Sequence, residues 1–465
     1  MGEFLVAGSF ISVMGFAILL CFAIAFSLHL VRRLDLGIIQ YYPHVILISN
    51  GLAIFLSARN YVTTGEFISD AVSANPVTAL VIKFSSAFAM LAAVDQIVRY
   101  CKVERKVSWD RALLGITFIF FWISNVLLPA YLSLHTVAVE LSWFYSLVLG
   151  LGVILINPLK PEVLIKQFRE ALLVFCLIGL LLSFWKPELV LQTNYTQGYI
   201  PGLPRFAGLA PHAILMGVLA SLALFCLYVS PFSTKWLNSA SYFVAFVALV
   251  MSQSKNVWVA FVLLTPFLYL YKDGESSIGQ KRSTLRFNPY MLLAFLWIIP
   301  ISIILAFAGL GMGEMVLKVF DEKQANQLFS LTGRDQIWRV AIEEWRQAPW
   351  FGYGLPLFGD EHRNQINMYY ATSGHNQIYD NLARVGLVGL FLGLLHFAAL
   401  IYLGFKFRGK TRGLSLVLAL SIVIRMVSEV PITLLTIGLD TFPYYLLMAL
   451  LGKQMVYEKS KVLRE

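Results

Sequence analysis

Apolar residues run along this chain in blocks long enough to cross a bilayer, separated by short polar loops. A helix needs about 20 apolar residues to cross, whereas a barrel strand shows a shorter alternating pattern. The blocks here are continuous, and a backbone in lipid must satisfy its own hydrogen bonds, so helices are predicted. Spans are read at residues 4–31, 36–57, 77–98, 113–133, 136–157, 168–185, 211–231, 236–252, 256–271, 289–310, 385–404, 414–431 and 434–452. The fold class is therefore an all-α polytopic membrane protein of about 12–13 transmembrane helices. The first block follows no basic residue and precedes no small-residue cleavage site, so it reads as a retained span rather than a signal peptide.

Composition agrees: 58% of residues are hydrophobic and 13% charged, against about 25% charged in soluble domains. The net charge of +10 suggests nucleic acid only until its distribution is read. Every second loop is basic: Arg32/Arg33, then Arg99/Lys102/Arg105/Lys106, Lys160/Lys166/Arg169, Lys235, Lys272/Lys281/Arg282/Arg286, Lys406/Arg408/Lys410/Arg412 and the tail Lys453/Lys459/Lys461. That alternation orients a membrane protein, with the N-terminus outside and the C-terminus cytoplasmic, and leaves no reason to invoke nucleic acid. Cys21, Cys101, Cys176 and Cys226 are scattered and form neither a metal spacing nor a disulfide framework.

Two of the opposite, outward loops are unusual. Residues 186–210 are rich in Gly and Pro, and residues 311–384 are too long for a connector. Within the second, "TGRDQIWRVAIEEWRQAPW" predicts an amphipathic helix. Thr332 caps it, Ile337, Val340, Ala341 and Trp345 share a face, and Pro349 stops it. Trp338, Trp345 and Trp350 read as interfacial anchors. The chain divides into an N-terminal bundle (1–185), a core holding both outward loops (186–452) and a tail (453–465).

Candidate chemistry gathers on the outward side. Arg205 precedes a span, Lys255 sits in a short turn and Arg334 opens the loop helix. A guanidinium fork or an ammonium suits pyrophosphate; equally, such residues snorkel to lipid headgroups. His375 lies at an expected helix start made by Ser373 and Gly374, where the dipole favours neutral imidazole, a form able to take a proton. A headgroup or backbone contact is the competing role. His212 reads as structural or as an acceptor contact, and His29, His44, His135 and His396 as packing residues. Asp380 and Arg384 stand four apart, as do Arg425 and Glu429, so each couple can pair on one helix face. Lys83 and Asp95 lie twelve residues apart in one span, too far to pair, and Asp440 lies near the outer end of the last spans. No phosphate-cradling glycine loop, paired Asp-x-Asp, zinc spacing or Ser-His-Asp pattern occurs. An activated substrate must therefore arrive from the lipid side.

"HNQIYDNLARVGLVG" resembles the His-Asn, nine residues, Gly, two residues, Gly pattern of the O-antigen ligase and Wzy-type polymerase superfamily; its residues here are His375, Asn376, Gly386 and Gly389. "SLTGRDQIWRVAIEEWRQAPWFGYG" is similar to the segment that precedes that pattern in family members, with Gly333, Arg334, Ile337, Trp338, Pro349, Gly352 and Gly354. "RFAGLAPHAILMG" resembles the segment opening a core span, through Arg205 and Gly208. The resemblance spans roughly residues 200–405. It departs at Ser254-Lys255, where Ser-Arg is usual, and at Ala213-Ile214.

The resemblance implies an inner-membrane glycosyltransferase of the GT-C type with its active site facing the periplasm. The donor would be a glycan on undecaprenyl pyrophosphate. The acceptor would be a lipid-linked repeat unit (polymerase) or lipid A-core (ligase), with the "SLTGR" run leaning toward the polymerase. It also implies inversion, no cofactor or metal, contact with membrane lipids and a chain-length regulator as partner. Arg205, Arg334 and, less directly, Lys255 would hold the pyrophosphate. His375 would activate the acceptor or assist the leaving group, supported by Asn376, Asp380, Arg384, Gly386, Gly389, Gly333, Trp338 and His212. The competing class is a transporter, for which Lys83, Asp95, Arg425 and Glu429 speak; it predicts polar groups near the midplane within repeats.

Overall fold

Wherever a predicted span falls on described residues, it carries a helix. The computed structural model describes residues 11–25 without 12, 16 and 19, then 37–57, 59–61, 76–103, 107–156, 161–193, 200, 203–272 and 334–462, with 454–462 as backbone alone. The predicted span 289–310, most of 4–31, Thr332, Gly333, His29 and the basic residues at 32–33, 105–106, 160 and 281–286 lie outside the described residues.

The long helices are α1 (Tyr42–Leu56), α2 (Pro76–Val103), α3 (Trp109–Leu132), α4 (Trp143–Ile154), α5 (Pro161–Trp185), α6 (Ala213–Val229), α7 (Lys235–Met251) and α8 (Lys255–Leu270). After the outer loop's α9 (Arg334–Gln347) and α10 (Asp360–Gln365) come α11 (Gln377–Lys406), α12 (Leu414–Met426) and α13 (Phe442–Val462). Local chemistry sets the ends. Ser108 caps α3 by accepting from the Arg111 N–H, with Asp110 in the first turn where the dipole favours an anion. Within α3, residues Ile123–Leu127 form a π-turn. Ser124 Oγ and Asn125 Nδ2 both donate to the Phe121 carbonyl there, at 3.1 Å each.

Five of these segments are long and apolar enough to cross a membrane, and α4, α6, α7, α8 and α12 are shorter apolar helices. The protein is an all-α polytopic membrane protein. α6 is apolar all round and buried along nearly its whole length, as is the first half of α13, so these two form the centre of the bundle. α5, α7 and α8 pack on α6, while α4 and α12 pack on α13. The one sheet among the described residues is a two-residue antiparallel pair, β1 (Leu191–Gln192) with β2 (Arg205–Phe206), in the register Gln192↔Arg205.

Two predicted spans become helical only well after their first residue. The block 136–157 is helical only from Trp143 to Ile154, and 434–452 becomes helical only at Phe442. In each case the backbone ahead of the helix bonds the segment around the outer loop. Leu134 and His135 N–H donate to the Gly352 and Tyr353 carbonyls (3.1 and 2.8 Å). Ile432 N–H donates to Gln377 Oε1 (3.2 Å).

The basic loops meet on one face. Lys406 Nζ pairs with Asp110 (2.6 Å), Arg408 Nε donates to the Tyr271 hydroxyl (2.9 Å), Arg111 to the Gly452 carbonyl (2.7 Å) and Arg412 to the Val229 carbonyl (3.1 Å). The other ends of the same helices carry Arg59, Arg205, the outer loop and residues 427–441. The charge alternation read from the sequence thus matches two physical faces.

Candidate functional site

α9 forms because its apolar positions fall on one face: Ile337 and Ala341 are buried while Asp335, Gln336, Arg339 and Glu343 stay outside that face. That face joins Tyr353, Leu357, Phe358, Met368, Ala371 and Ala383 in a small core separate from the bundle core. Arg334, at the first turn of α9, is half-buried, and no ion-pair partner engages it among the described residues. Trp338 packs within the outer loop. Its Nε1 donates to the Gly374 carbonyl (2.9 Å) and its ring stacks on Tyr379 at 5.0 Å, so it pins the turn that carries His375. Trp350 remains exposed.

Gly386 corrects a simpler expectation. The sequence suggests that it lets a straight helix pack closely; instead α11 breaks there, at φ 68° and ψ −169°. This is a conformation open essentially to glycine alone. The break removes the helical partners of the Ala383 and Arg384 carbonyls and of the Leu387 and Val388 N–H groups. Segment 349–354 replaces all four. Tyr353 and Gly354 N–H donate to the Ala383 and Arg384 carbonyls (2.7 and 3.0 Å), and Leu387 and Val388 N–H donate to the Pro349 and Trp350 carbonyls (2.9 and 3.2 Å). Burying such groups unpaired costs about 1–3 kcal/mol each. A Cβ on Gly386 would stand 2.4 Å from the Trp350 carbonyl, and one on Gly352 2.6 Å from the Ala383 oxygen. The two glycine-bearing motifs are therefore two halves of one backbone clasp. Gly386→Ala should lower the thermal unfolding midpoint in detergent, by strain of about 1–3 kcal/mol and more from the clash; an unchanged midpoint would contradict the clasp. Gly389 does sit at a close approach: its carbonyl accepts from Asn125 Nδ2 (3.1 Å) in the π-turn of α3.

His375 lies just outside the helix. The expected start at Ser373-Gly374 moves to Gln377, because the Asn376 side chain caps α11 by accepting from the Ile378 and Tyr379 N–H groups (2.9 and 3.2 Å). His375 itself has φ 44°, a left-handed conformation that costs a non-glycine residue about 1–2 kcal/mol. Its surroundings hold it there. Gly374 N–H donates to Asp380 Oδ1 (2.9 Å), and His375 N–H donates to Ser373 Oγ (3.3 Å). Arg384 grips Asp380 with Nε and Nη2 (3.0 and 3.1 Å) and donates through Nη1 to the Leu355 carbonyl (3.0 Å).

Burial pushes the His375 imidazole below its ordinary range, and the Arg334 charge pushes the same way. Glu429 and Asp380 oppose this, while His212 adds a smaller downward push. Charges from four elements thus act on the ring. Two of them connect through a chain of contacts: His212 Nε2 lies 4.0 Å from Asp440 Oδ1, which lies 3.5 Å from Arg425 Nη2, which pairs with Glu429 at 3.0 Å. His212 also caps α6, its Nδ1 accepting from the Leu215 N–H (3.2 Å).

Arg205 is buried, with Nε donating to the Ser252 carbonyl (3.0 Å), which places its guanidinium beside the turn that ends in Lys255. Lys255 is half-buried at the first position of α8, after Ser254. The charges of Arg334, Glu429, Asp380 and His212 thus act on His375, while the Arg205 guanidinium lies beside the turn that ends in Lys255. Of the in-span charges, Asp95 pairs with Arg99 (3.0 Å) and accepts from the Ile38 N–H (3.1 Å), and Lys83 is exposed.

Sequence reasoning passes over three organising residues. Arg59 donates to the carbonyls of Leu189, Gly208 and Ala210, and so fixes the ends of the 186–210 loop. Gln253 (φ 47°) donates to the Leu203 carbonyl (2.8 Å) and accepts from the Ile200 N–H (3.3 Å). His362 is buried between Glu344 (3.1 Å) and the Phe358 N–H, which donates to its Nδ1 (3.3 Å). The only available signal was an outward Arg and two polar residues in runs that read as solvated.

Residues 240–394 match the family model described as O-Antigen ligase. The match takes in Lys255, Arg334 and His375; Arg205, His212 and residues 425–440 lie beyond it. No curated protein matches the chain.

Proposed function

We propose, on the premise that this membrane protein belongs through residues 240–394 to the O-antigen ligase and Wzy-type superfamily and serves polysaccharide biosynthesis, that it is an inverting, metal-independent glycosyltransferase of the GT-C type. It takes a glycan from undecaprenyl pyrophosphate at the periplasmic face of the bacterial inner membrane and joins it to an acceptor sugar hydroxyl. The observation that carries the reading is His375. It is half-buried, held in a strained conformation, biased to the neutral form and acted on by the charge of Arg334, which has no ion-pair partner among the described residues.

The neutral imidazole takes the acceptor hydroxyl proton as the oxygen attacks the anomeric carbon. The bond from that carbon to the phosphate oxygen breaks, and its electron pair leaves with the polyprenyl pyrophosphate. Arg334, Arg205 and Lys255 meet the growing negative charge, which is the larger part of the task because pyrophosphate already leaves well. The Ser252 contact fixes the plane of the Arg205 guanidinium in advance. α9, the clasp and the Asp380–Arg384 pair hold base and cation in register, so little entropy is lost on reaching the transition state. Polymerisation of lipid-linked repeats is the favoured reaction, with a chain-length regulator as partner; transfer to lipid A-core is the ligase alternative. The transporter reading is weakened by the partners of Asp95 and by the place of the Arg425–Glu429 pair at the end of α12 beside the outer loop.

Two expectations follow from the chemistry. The rate of transfer should be unchanged by EDTA in the reconstituted system; loss that a divalent ion restores would contradict cation-only stabilisation. The acid limb of kcat should fall below about pH 6.5, the ordinary imidazole value. The base must be neutral, and burial and Arg334 lower its pKa, so activity is full at neutral pH and is lost only on further acidification. A limb above that value, read from a pH–rate profile, would contradict the assignment. The function itself is tested by supplying a lipid-linked donor to the purified protein and resolving the product.

A further inference from the structure

We infer that Tyr369 and Tyr370 form, with Gln336, a saccharide-binding platform in the outer loop that holds the acceptor glycan. The inference rests on the reading of His375 as the base that meets the acceptor.

The platform follows from the turn after α10. Met368 N–H donates to the Arg363 carbonyl, and Ala371 N–H donates to the Met368 carbonyl (3.0 Å each). Met368 and Ala371 are buried in the small core of the outer loop. The two residues between them are turned outward: Tyr369 is 61% exposed and Tyr370 40%. Both are nonetheless held in place. Arg363 Nη1 donates to the Tyr369 carbonyl (2.9 Å), and Thr372 N–H donates to the Tyr370 carbonyl (3.0 Å). The Tyr370 hydroxyl donates to Gln336 Oε1 (3.1 Å). A tyrosine fixed in this way offers a large amphipathic surface at little entropic cost on binding.

The same stretch of chain carries the base. Tyr370 is bonded to α9 at Gln336, and Gly374, next to His375, is bonded to α9 at Trp338 (2.9 Å). Segment 370–374 is therefore tied at both ends to the start of α9, the helix that opens with Arg334. His375 is five residues beyond Tyr370, and chain of that length spans at most about 18 Å. An oligosaccharide can rest on the tyrosines with one end at the imidazole. Arg205 and Lys255 lie at a different turn, so the platform sits on the acceptor's side of the site.

The ligand class follows from the groups presented. A sugar ring has a face of C–H groups and an edge of hydroxyls. Those C–H groups are slightly positive and suit the negative face of an aromatic ring. The hydroxyls suit an amide, and Gln336 Nε2 has no bonded partner among the described residues. A phosphate headgroup would call for a cation instead. Arg363, the cation bonded to this turn, directs Nη2 to Asp360 and Nη1 to the Tyr369 carbonyl.

The test uses the full chain reconstituted in vesicles, with acceptor and donor titrated separately. Tyr369→Ala and Tyr370→Ala should each raise acceptor KM about three- to tenfold, the worth of one aromatic contact. Donor KM, kcat and the melting temperature should hold, because Met368 and Ala371 supply the core side of the turn. Tyr370→Phe keeps the ring and should stay closer to wild type than Tyr370→Ala. A second readout needs no turnover. A lipid-free oligosaccharide of the acceptor repeat, followed by saturation-transfer NMR, should contact the wild-type protein and lose that contact when both tyrosines are alanine. If the double variant is not monodisperse, the single variants decide by the same measurement. Unchanged acceptor KM and unchanged contact would overturn the inference. So would a rise in donor KM alone, or an equal rise in both, the mark of tyrosines that anchor the loop to the membrane. Absence of transfer by the wild-type chain would instead count against the proposed reaction.

Discussion

His375→Ala abolishes product while the protein remains folded and monodisperse. Removing a general base typically costs about a hundred- to ten-thousandfold in rate, and here the loss falls on kcat rather than on donor KM. The reason is positional. The His375 side chain makes none of the bonds that hold its turn. Those come from Asp380, Trp338 and the Asn376 cap. Alanine keeps the Cβ, so the strain at φ 44° stays about the same and the melting temperature should change little. A gel resolving saccharide products, run beside a melting curve, checks both halves. Full product from His375→Ala would remove the residue from the mechanism.

Arg334→Ala should lower kcat/KM for the lipid-linked donor by about a hundred- to a thousandfold, the usual cost of removing a preorganised group aimed at developing charge. Arg334→Lys should recover only part of it, since an ammonium supplies charge without the two parallel N–H bonds of the guanidinium. A second effect separates this residue from a remote structural cation. Arg334 pushes the His375 imidazole downward, so its removal should raise the acid limb of the pH–rate profile. Removal of Glu429 should move the limb the other way. Steady-state kinetics on purified variants measure all three. Complete rescue by lysine would contradict a bidentate contact, and an unmoved limb would contradict its proximity to His375.

Much of this architecture is legible in hydropathy and charge alone. Every described span overlaps a predicted block, because lipid leaves a backbone few choices. Alternating basic loops give the two faces because short cationic loops stay on one side. The outer helix at 334–347 is legible too, since Ile337 and Ala341 recur at helical spacing before a stopping proline. What pattern could not supply is any contact distant in sequence. Gly386 reads as a packing glycine because periodicity assumes an unbroken helix; only the pairing of 349–354 with 383–388 shows why the helix breaks. Trp338 reads only as an interfacial anchor, and its bond to the Gly374 carbonyl is a contact the local pattern does not show. Of the candidate site, Arg334 and His375 were visible through local motifs. Glu429 was visible as half of an ion pair, and what brings its segment against the residues after His375 is bonding by Asn376 and Gln377 across more than fifty residues.

The central claim is transfer of a glycan from a polyprenyl pyrophosphate to a sugar hydroxyl. The most direct measurement supplies the purified chain, in vesicles without nucleotide or metal, with a defined lipid-linked oligosaccharide and an acceptor lipid. It follows both the lengthened glycan and the released polyprenyl pyrophosphate. The account predicts the two in equal amounts, with the configuration at the newly joined anomeric carbon inverted. Transfer that occurs only with a nucleotide sugar, or movement of the intact lipid-linked glycan across the bilayer without release of pyrophosphate, would contradict it.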